Sequence, residues 1–335
     1  MKEIDLSVII PSYNVSQYVK KSIDSIKAQR GINYEIIVVD DGSTDQTLET
    51  LMDSYGKESN IKIISKKNQG SGIARNTGLD VARGTYVYFM DADDLIDEMM
   101  FKEIFNKIDS ISYKPDMILF GFYSFYADSK VINHNYYKNK EFLISDRQLI
   151  VQEIENFGLE GVLFPVWNKI LKRDFLVDNL IRFTNQKTGQ DALFSLEVFK
   201  HVNSIYFIPK EYYHYLSGRV DSAYNKKNPS KINDEVNILD TLLKLYSEFS
   251  LEKNYFISEY IFNIIHNELR HITLSSMKQF FRYYDSNGLN YYLKFVELKN
   301  LSVKKRIVVL LRKNKVTSYV LFVTVKIFSL EKIFK

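Results

Sequence analysis

Apolar, β-branched runs alternate with helix-spaced segments through the first third of the chain, and this alternation restricts the fold more than any other feature. The runs are LSVIIPSYN, YEIIVVDDGSTD, IKIISKKNQG and TYVYFMDADD. Between them lie SQYVKKSIDSIKAQ, QTLETLMDSYGKE and GSGIARNTGLDVARG. In the first of these, Tyr18, Val19, Ile23 and Ile26 fall at helical spacing. Strands that are apolar throughout need cover on both faces, and helices of about a dozen residues supply it, so the pattern predicts parallel βαβ units. Sheets of this kind bind ligands beyond the carboxyl ends of their strands. Ser12-Tyr13-Asn14, Asp40-Asp41-Gly42-Ser43 and Asp91-Ala92-Asp93-Asp94 each close a run. All three clusters are therefore expected on one rim.

The last cluster is the most demanding. In YVYFMDADDLID a strand of buried type runs straight into Asp91, Asp93, Asp94 and Asp97. Carboxylates so close repel one another and are costly to desolvate, so such an end faces water, a cation or both. Alternation turns Asp91 and Asp93 to one side, where they can converge on a hard divalent cation. Mg²⁺ and Mn²⁺ suit such oxygen donors and leave coordination positions for phosphate oxygens. Asp94 and Asp97 equally suit the N-terminus of the next helix. In VVDDGSTD an aspartate can accept from a ring N–H or a ribose hydroxyl, whereas Ser43 or Asp45 suits a helix cap. Tyr13 can stack on a base or belong to the core.

Composition narrows the chemistry further. The chain of 335 residues contains no cysteine, which excludes disulfides, thiolate metal sites and a cysteine nucleophile and fits a reducing compartment. MKEIDLSVIIPSYN reads as a first strand, not a leader, and no run approaches the roughly 20 apolar residues of a spanning helix. DMILFGFYSFYA and SIYFIPKEYYHYL read as further strands, and 146–156 and 191–200 as helices. From about Ser230 the pattern is helical. The polar, proline-containing NKKNPS places a boundary near residue 225, separating residues 1–225 (halves 1–100 and 101–225) from 226–335.

SVIIPSYNVSQYVKKSIDSI, EIIVVDDGSTDQT, NQGSGIARNTGLDVARGTYVYFMDADD and GQDALF, in this order, resemble the inverting nucleotide-sugar glycosyltransferases of family 2, which have a GT-A fold. The resemblance covers residues 5–225 and implies an α/β architecture with a Rossmann-like, mostly parallel sheet, followed here by a helical region. It implies transfer of a hexosyl or N-acetylhexosaminyl group from a UDP-sugar to a glycan or lipid-linked saccharide, as in capsule, exopolysaccharide or cell-wall glycan synthesis. By position it places Pro11, Tyr13, Asn14 and Asp41 around the donor base, with Asp41 on the uracil. It places Asp91 and Ala92 at the nucleotide sugar, Asp93 with Asp91 on Mn²⁺ or Mg²⁺, and Arg75, in the loop of Gly70 and Asn76, near the diphosphate. Asp191 becomes the base, or alternatively a helix cap. The family pattern has Glu-Asp where this chain has Gln190-Asp191.

Further expectations come from the acceptor half. Trp167 is the only tryptophan and suits either an acceptor sugar or the core, while Lys169 approaches the acceptor or is solvated. His214 is a candidate third metal ligand and Arg219 a candidate diphosphate contact. Tyr213 and Tyr215 share the strand face opposite His214, so only one side can reach the rim. From Leu301 onward the chain has nine Lys/Arg and one acid, Glu331. This tail, 301–335, reads as an interfacial element for an anionic membrane surface or as an ordinary helical subdomain. With the family resemblance, it gives a cytoplasmic protein held on the inner face of the membrane. The basic run lies outside the motif rim and no nucleic-acid motif accompanies it, which argues against nucleic acid. IIPSYNVSQY lacks the glycines of a dinucleotide oxidoreductase. A nucleotidyltransferase and an inactive glycan-binding module are the remaining rivals.

Overall fold

The computed structural model describes residues 3–126, 130–135, 140–218, 231–252, 255–270, 289–297, 299, 301–302 and 305. The chain divides into two compact units, Met1–Asn228 and Pro229–Lys335. The boundary expected near residue 225 falls in 219–230, outside the described residues.

The first unit is built on the predicted alternation. Strand β1 (Leu6–Ser12) is followed by α1 (Val19–Lys27), β2 (Tyr34–Asp40), α2 (Thr47–Tyr55), β3 (Ile61–Ser65), α3 (Ser71–Val81) and β4 (Tyr86–Phe89). β1 pairs in parallel with β2 on one side and β4 on the other, and β2 with β3. Every residue of β1 and β4 is buried, as expected for strands covered on both faces. The small residues of α3 allow close packing: a Cβ on Gly78 would sit 2.4 Å from Cγ2 of Ile9.

The chain then adds β5 (Leu95–Ile96), α4 (Met100–Ser110), β6 (Met117–Phe125), β7 (Val131–Asn135), β8 (Phe142–Ile144), α5 (Arg147–Gln152), α6 (Ile154–Leu159), β9 (Lys169–Lys172), α7 (Arg173–Asp178), α8 (Gln190–His201) and β10 (Ile205–Leu216). Ten strands form one sheet in the order β3-β2-β1-β4-β9-β6-β10-β5, with β7 on β6 and β8 on β10. β9 enters antiparallel to both β4 and β6, so the sheet is mixed beyond β4. The order reverses at β1, whose neighbours are β2 and β4. That reversal opens a crevice at the carboxyl ends of β1 and β4, where ligands bind in sheets of this type.

The described part of the second unit is helical, with α9 (Lys231–Glu248), α10 (Tyr255–Arg270) and a short helix, Leu289–Tyr292. Lys305 is bonded to Glu259 on α10 and lies over the Phe262 ring. Among the described residues no helix is long and apolar enough to cross a membrane.

Candidate active site

Ile9 pairs with Phe89, so Tyr13–Asn14 and Met90–Asp93 leave the sheet at the same end. Arg75 reaches this rim from α3 and donates from Nη2 to Oδ1 of Asp91 at 2.6 Å. Its guanidinium lies 5.3 Å from the Phe183 ring centroid, and the residue is 5% exposed. Its Nε and Nη1 are buried and donate to nothing among the described residues. Idle buried donors are costly, and here they mark a place for acceptor oxygens from outside the chain.

Asp191 lies in the first turn of α8, after Gly189, which takes the left-handed conformation at φ 70°. The amide of Ala192 donates to its Oδ1 at 2.9 Å. Burial above all pushes its carboxyl up, the Arg75 charge opposes this, and the charge of Asp91 adds to it. Asp191, Arg75 and Asp91 are thus brought within electrostatic reach of one another by α8, α3 and the end of β4.

The joint between α3 and the segment before α8 fixes this arrangement. Asn76 donates from Nδ2 to the carbonyl of Phe183 at 2.8 Å and accepts from its amide at 2.9 Å. Gln190 donates from Nε2 to the Ser71 hydroxyl at 2.6 Å. Gly72 leaves no room: a Cβ there would sit 2.7 Å from the carbonyl oxygen of Thr184. Phe183 and Phe194 stack at 4.0 Å beneath.

Among the rim acids, Asp97 stands just ahead of α4, its Oδ1 accepting from the Met99 amide at 2.9 Å and its main-chain carbonyl from the Met100 amide. Asp94 does not cap that helix. Its carboxylate is 1% exposed, with Oδ2 accepting from the Tyr213 hydroxyl at 2.5 Å and Oδ1 from the Leu216 amide at 2.7 Å. Burial, then the charges of Asp93 and Asp91, push its carboxyl well up. The Tyr213 hydroxyl also accepts from the Asp91 amide at 3.3 Å, so β10 clamps the acidic turn. Asp93 is partly exposed, and its charge acts on Asp94 and on Tyr215. Among the described residues no three His, Cys, Asp or Glu side chains are grouped to hold a metal.

At the nucleotide end, Tyr13 is 40% exposed, so it is not a core tyrosine, while Pro11 and Ala92 are buried at the strand ends. Asp41 is 2% exposed, and its carboxylate accepts from Nζ of Lys66 and from the amides of Gln69 and Gly70. In this structure it shapes the loop ahead of α3 and presents no open acceptor. Asn14, at φ 53°, is occupied as a clasp. Its Oδ1 accepts from the Thr44 amide at 2.8 Å, and its own amide donates to the Ser43 hydroxyl. Asp45 holds the start of α2 by accepting from the amide and hydroxyl of Thr47.

Two expectations from the acceptor half, Lys169 and His214, need correction, and for Trp167 the core alternative is the one the structure shows. Lys169 is 1% exposed, and its Nζ donates to the carbonyls of Val162 and Pro165 and to Oδ1 of Asn168. It is part of the core and reaches no acceptor. Trp167 is 8% exposed, stacked on Tyr213 at 4.4 Å and on Tyr215 at 5.5 Å, with Phe122 edge-on. His214 stacks on Tyr123 at 4.4 Å, on the strand face away from Tyr213 and its acids. It therefore does not join Asp91 and Asp93. Arg219 lies outside the described residues. Sequence reasoning gave no role to Tyr213. The run YYHY announces an alternation, but which face meets the acids depends on the neighbouring strand.

The family model described as Glycosyl transferase family 2 matches residues 7–172. GlyA of Streptococcus pneumoniae serotype 4, named a glycosyltransferase, is 30% identical over 71% of this chain and 34% of its own length. Cholesterol galactosyltransferase of Borreliella burgdorferi is 28% identical over 76% of this chain and 74% of its own. TarS of Staphylococcus aureus, named a poly(ribitol-phosphate) beta-N-acetylglucosaminyltransferase, is 29% identical over 65% of this chain and 37% of its own. The chain thus spans about a third of GlyA and of TarS. The crystal structure of S. aureus TarS 1–349 in complex with UDP-GlcNAc matches with a TM-score of 0.70 at 22% identity, covering 91% of this chain and 86% of that one. That likeness is one of fold.

Proposed function

We propose that this chain, which belongs to glycosyltransferase family 2 through residues 7–172, transfers a sugar from a UDP-sugar to a hydroxyl of a glycan or lipid-linked saccharide, with inversion. The observation that carries this reading is Arg75, buried between Asp91 and Asp191 with two donor groups idle. That is the provision a departing diphosphate needs beside a carboxylate able to take a proton.

In this mechanism Asp191 accepts the proton of the acceptor hydroxyl as its oxygen bonds to the anomeric carbon. The bond from that carbon to the β-phosphate oxygen breaks on the opposite side, and its electron pair leaves with UDP. Arg75 meets the charge that develops there. Asp91 and Asp93 would hold Mn²⁺ or Mg²⁺, which when bound supplies further neutralisation of the diphosphate. Tyr13 offers a stacking face for the base, and Asp41 sets the adjoining wall through the loop it holds. The name of TarS, a poly(ribitol-phosphate) beta-N-acetylglucosaminyltransferase, supports a polymeric glycan-type acceptor.

The test is a screen of UDP-sugars with Mn²⁺ for slow hydrolysis, run beside Asp93→Ala. UDP release that falls at least tenfold in the variant is expected. Pyrophosphate in place of UDP would indicate nucleotidyl transfer, and undiminished turnover in the variant would remove the metal assignment.

A further inference from the structure

We propose that Tyr215 forms the platform of the saccharide-acceptor subsite, its ring packing against the C–H face of the incoming sugar and its hydroxyl bonding a sugar oxygen. The inference rests on the glycosyltransferase reading and assigns the acceptor a place within it.

Tyr215 stands near the end of β10, two residues beyond Tyr213 and on the same strand face. Trp167 stacks on both rings, with an interplanar angle of 9° to Tyr213 and 15° to Tyr215. Buried Tyr213 is tied to the acidic turn, whereas Tyr215 is only partly buried. Among the described residues the influences on the Tyr215 hydroxyl are burial and charge, with no hydrogen bond among them, and no ring other than Trp167 stacks on it there. The tryptophan that sequence reasoning offered to the acceptor is therefore the backing, and the tyrosine in front of it is available.

Its location suits an acceptor. After burial, the charges of Asp94, Asp91, Asp93 and Asp191 all act on the Tyr215 hydroxyl, raising its pKa to about 12. The hydroxyl thus remains protonated and able to donate, and the ring stands two residues from Tyr213, which bonds Asp94 and the Asp91 amide, on the same strand face. A sugar resting on this ring would present its hydroxyls to the acidic rim, where single displacement requires the acceptor. Pyranose rings have one apolar C–H face and a polar rim, which matches the apolar ring and polar tip of tyrosine.

Trp167 is the only tryptophan and touches the proposed platform, so its emission reports on occupancy. Chitotriose, maltotriose and cellotriose are the probes, titrated against the full chain with UDP and Mn²⁺ while UDP affinity is measured by calorimetry. At least one probe is expected to give a saturable change in emission. Tyr215→Ala is expected to weaken that binding about tenfold, the loss of an aromatic stack, with UDP affinity unchanged within about twofold. Tyr215→Phe keeps the ring and the packing on Trp167, and is expected to lose only about threefold, a single neutral hydrogen bond. Unchanged saccharide affinity in the alanine variant overturns the proposal, as does weakened UDP with saccharide affinity intact. Failure of every probe in the wild-type chain also overturns it. A wild-type chain that binds no UDP with Mn²⁺ sinks instead the reading beneath it.

Discussion

A carboxylate that must accept a proton gains from an environment in which its charge is not fully satisfied, and Asp191 has one. Burial raises its pKa, so the folded chain holds that proton more tightly than the unfolded chain does. The stability this contributes is fully present below the ordinary aspartate range and is lost as pH rises through the raised value. At pH 7.5 the charged form is a burden on folding. Asp191→Asn keeps the Oδ1 acceptor for Ala192 and removes the burden. The variant is expected to melt no lower than wild type at that pH, while UDP release to acceptor falls about 10²–10⁴-fold. A melting temperature clearly below wild type would show that the anion is structural. In wild type, kcat/KM should fall on the acid side with a midpoint above the ordinary aspartate range. Arg75 makes a separate case. A lysine can keep the charge beside Asp91 but cannot supply Nε and Nη1 or the planar contact with Phe183. Arg75→Lys is expected to reduce kcat about 10²-fold, as when a donor to a developing anion is lost, with folding retained in thermal melts.

At the scale of elements, the site depends on α3 and α8 holding their first turns together. Gly72 is the tightest point of that joint. A methyl there would meet the Thr184 carbonyl at 2.7 Å and Cβ of Phe183 and Cγ of Gln190 at 3.2 Å. Gly72→Ala is therefore expected to destabilise the chain by about 1–3 kcal/mol, measured in urea, and to lower kcat by displacing Asp191 from Arg75. Wild-type stability and turnover together would show that the joint is pliable. The sequence announced both halves of this joint but not their meeting. The βαβ alternation was legible because apolar runs of five or more residues leave a clear period, and four strand ends and three helices could be placed from it. β9 was not, since four residues, two of them lysine, carry no period. It is a strand because Ile170 and Leu171 fill the gap between β4 and β6. For the same reason Lys169 reads as an acceptor contact or a solvated lysine, when its ammonium is held by carbonyls in the core. For Asp94 the sequence leaves a rim acid and a helix cap open, because a helix follows. Its actual partner, Tyr213, is 119 residues away, and no local rule reports such a contact.

For the whole molecule, the unevenness of charge is the remaining feature with a functional consequence. Nine of the 45 Lys and Arg lie in residues 301–335, against one acid there. Lys305 already has a use, bonded to Glu259 and lying over Phe262, which leaves eight bases, all of them outside the described residues. At about 1 kcal/mol per base near an anionic surface, four or five of them supply only about millimolar binding, whereas all eight together supply about 8 kcal/mol, roughly a micromolar affinity. The apolar stretches between the bases would add burial to that attraction. A surface held this way responds to ionic strength, because exposed charges are screened within about 10 Å at 0.1 M salt. The intact chain is therefore expected to sediment with vesicles containing phosphatidylglycerol at low salt, to be released by 0.5 M NaCl, and to ignore vesicles of phosphatidylcholine alone. Deleting residues 306–335 leaves the Lys305 contact and all of the rim in place. It should abolish sedimentation while UDP affinity stays within about twofold of wild type, and retained binding to anionic vesicles after the deletion would move the attraction elsewhere on the chain. A lipid-linked acceptor presented at such a surface would then reach the rim by diffusion in two dimensions, and the same deletion should raise KM for that acceptor in vesicles but not for a short soluble saccharide.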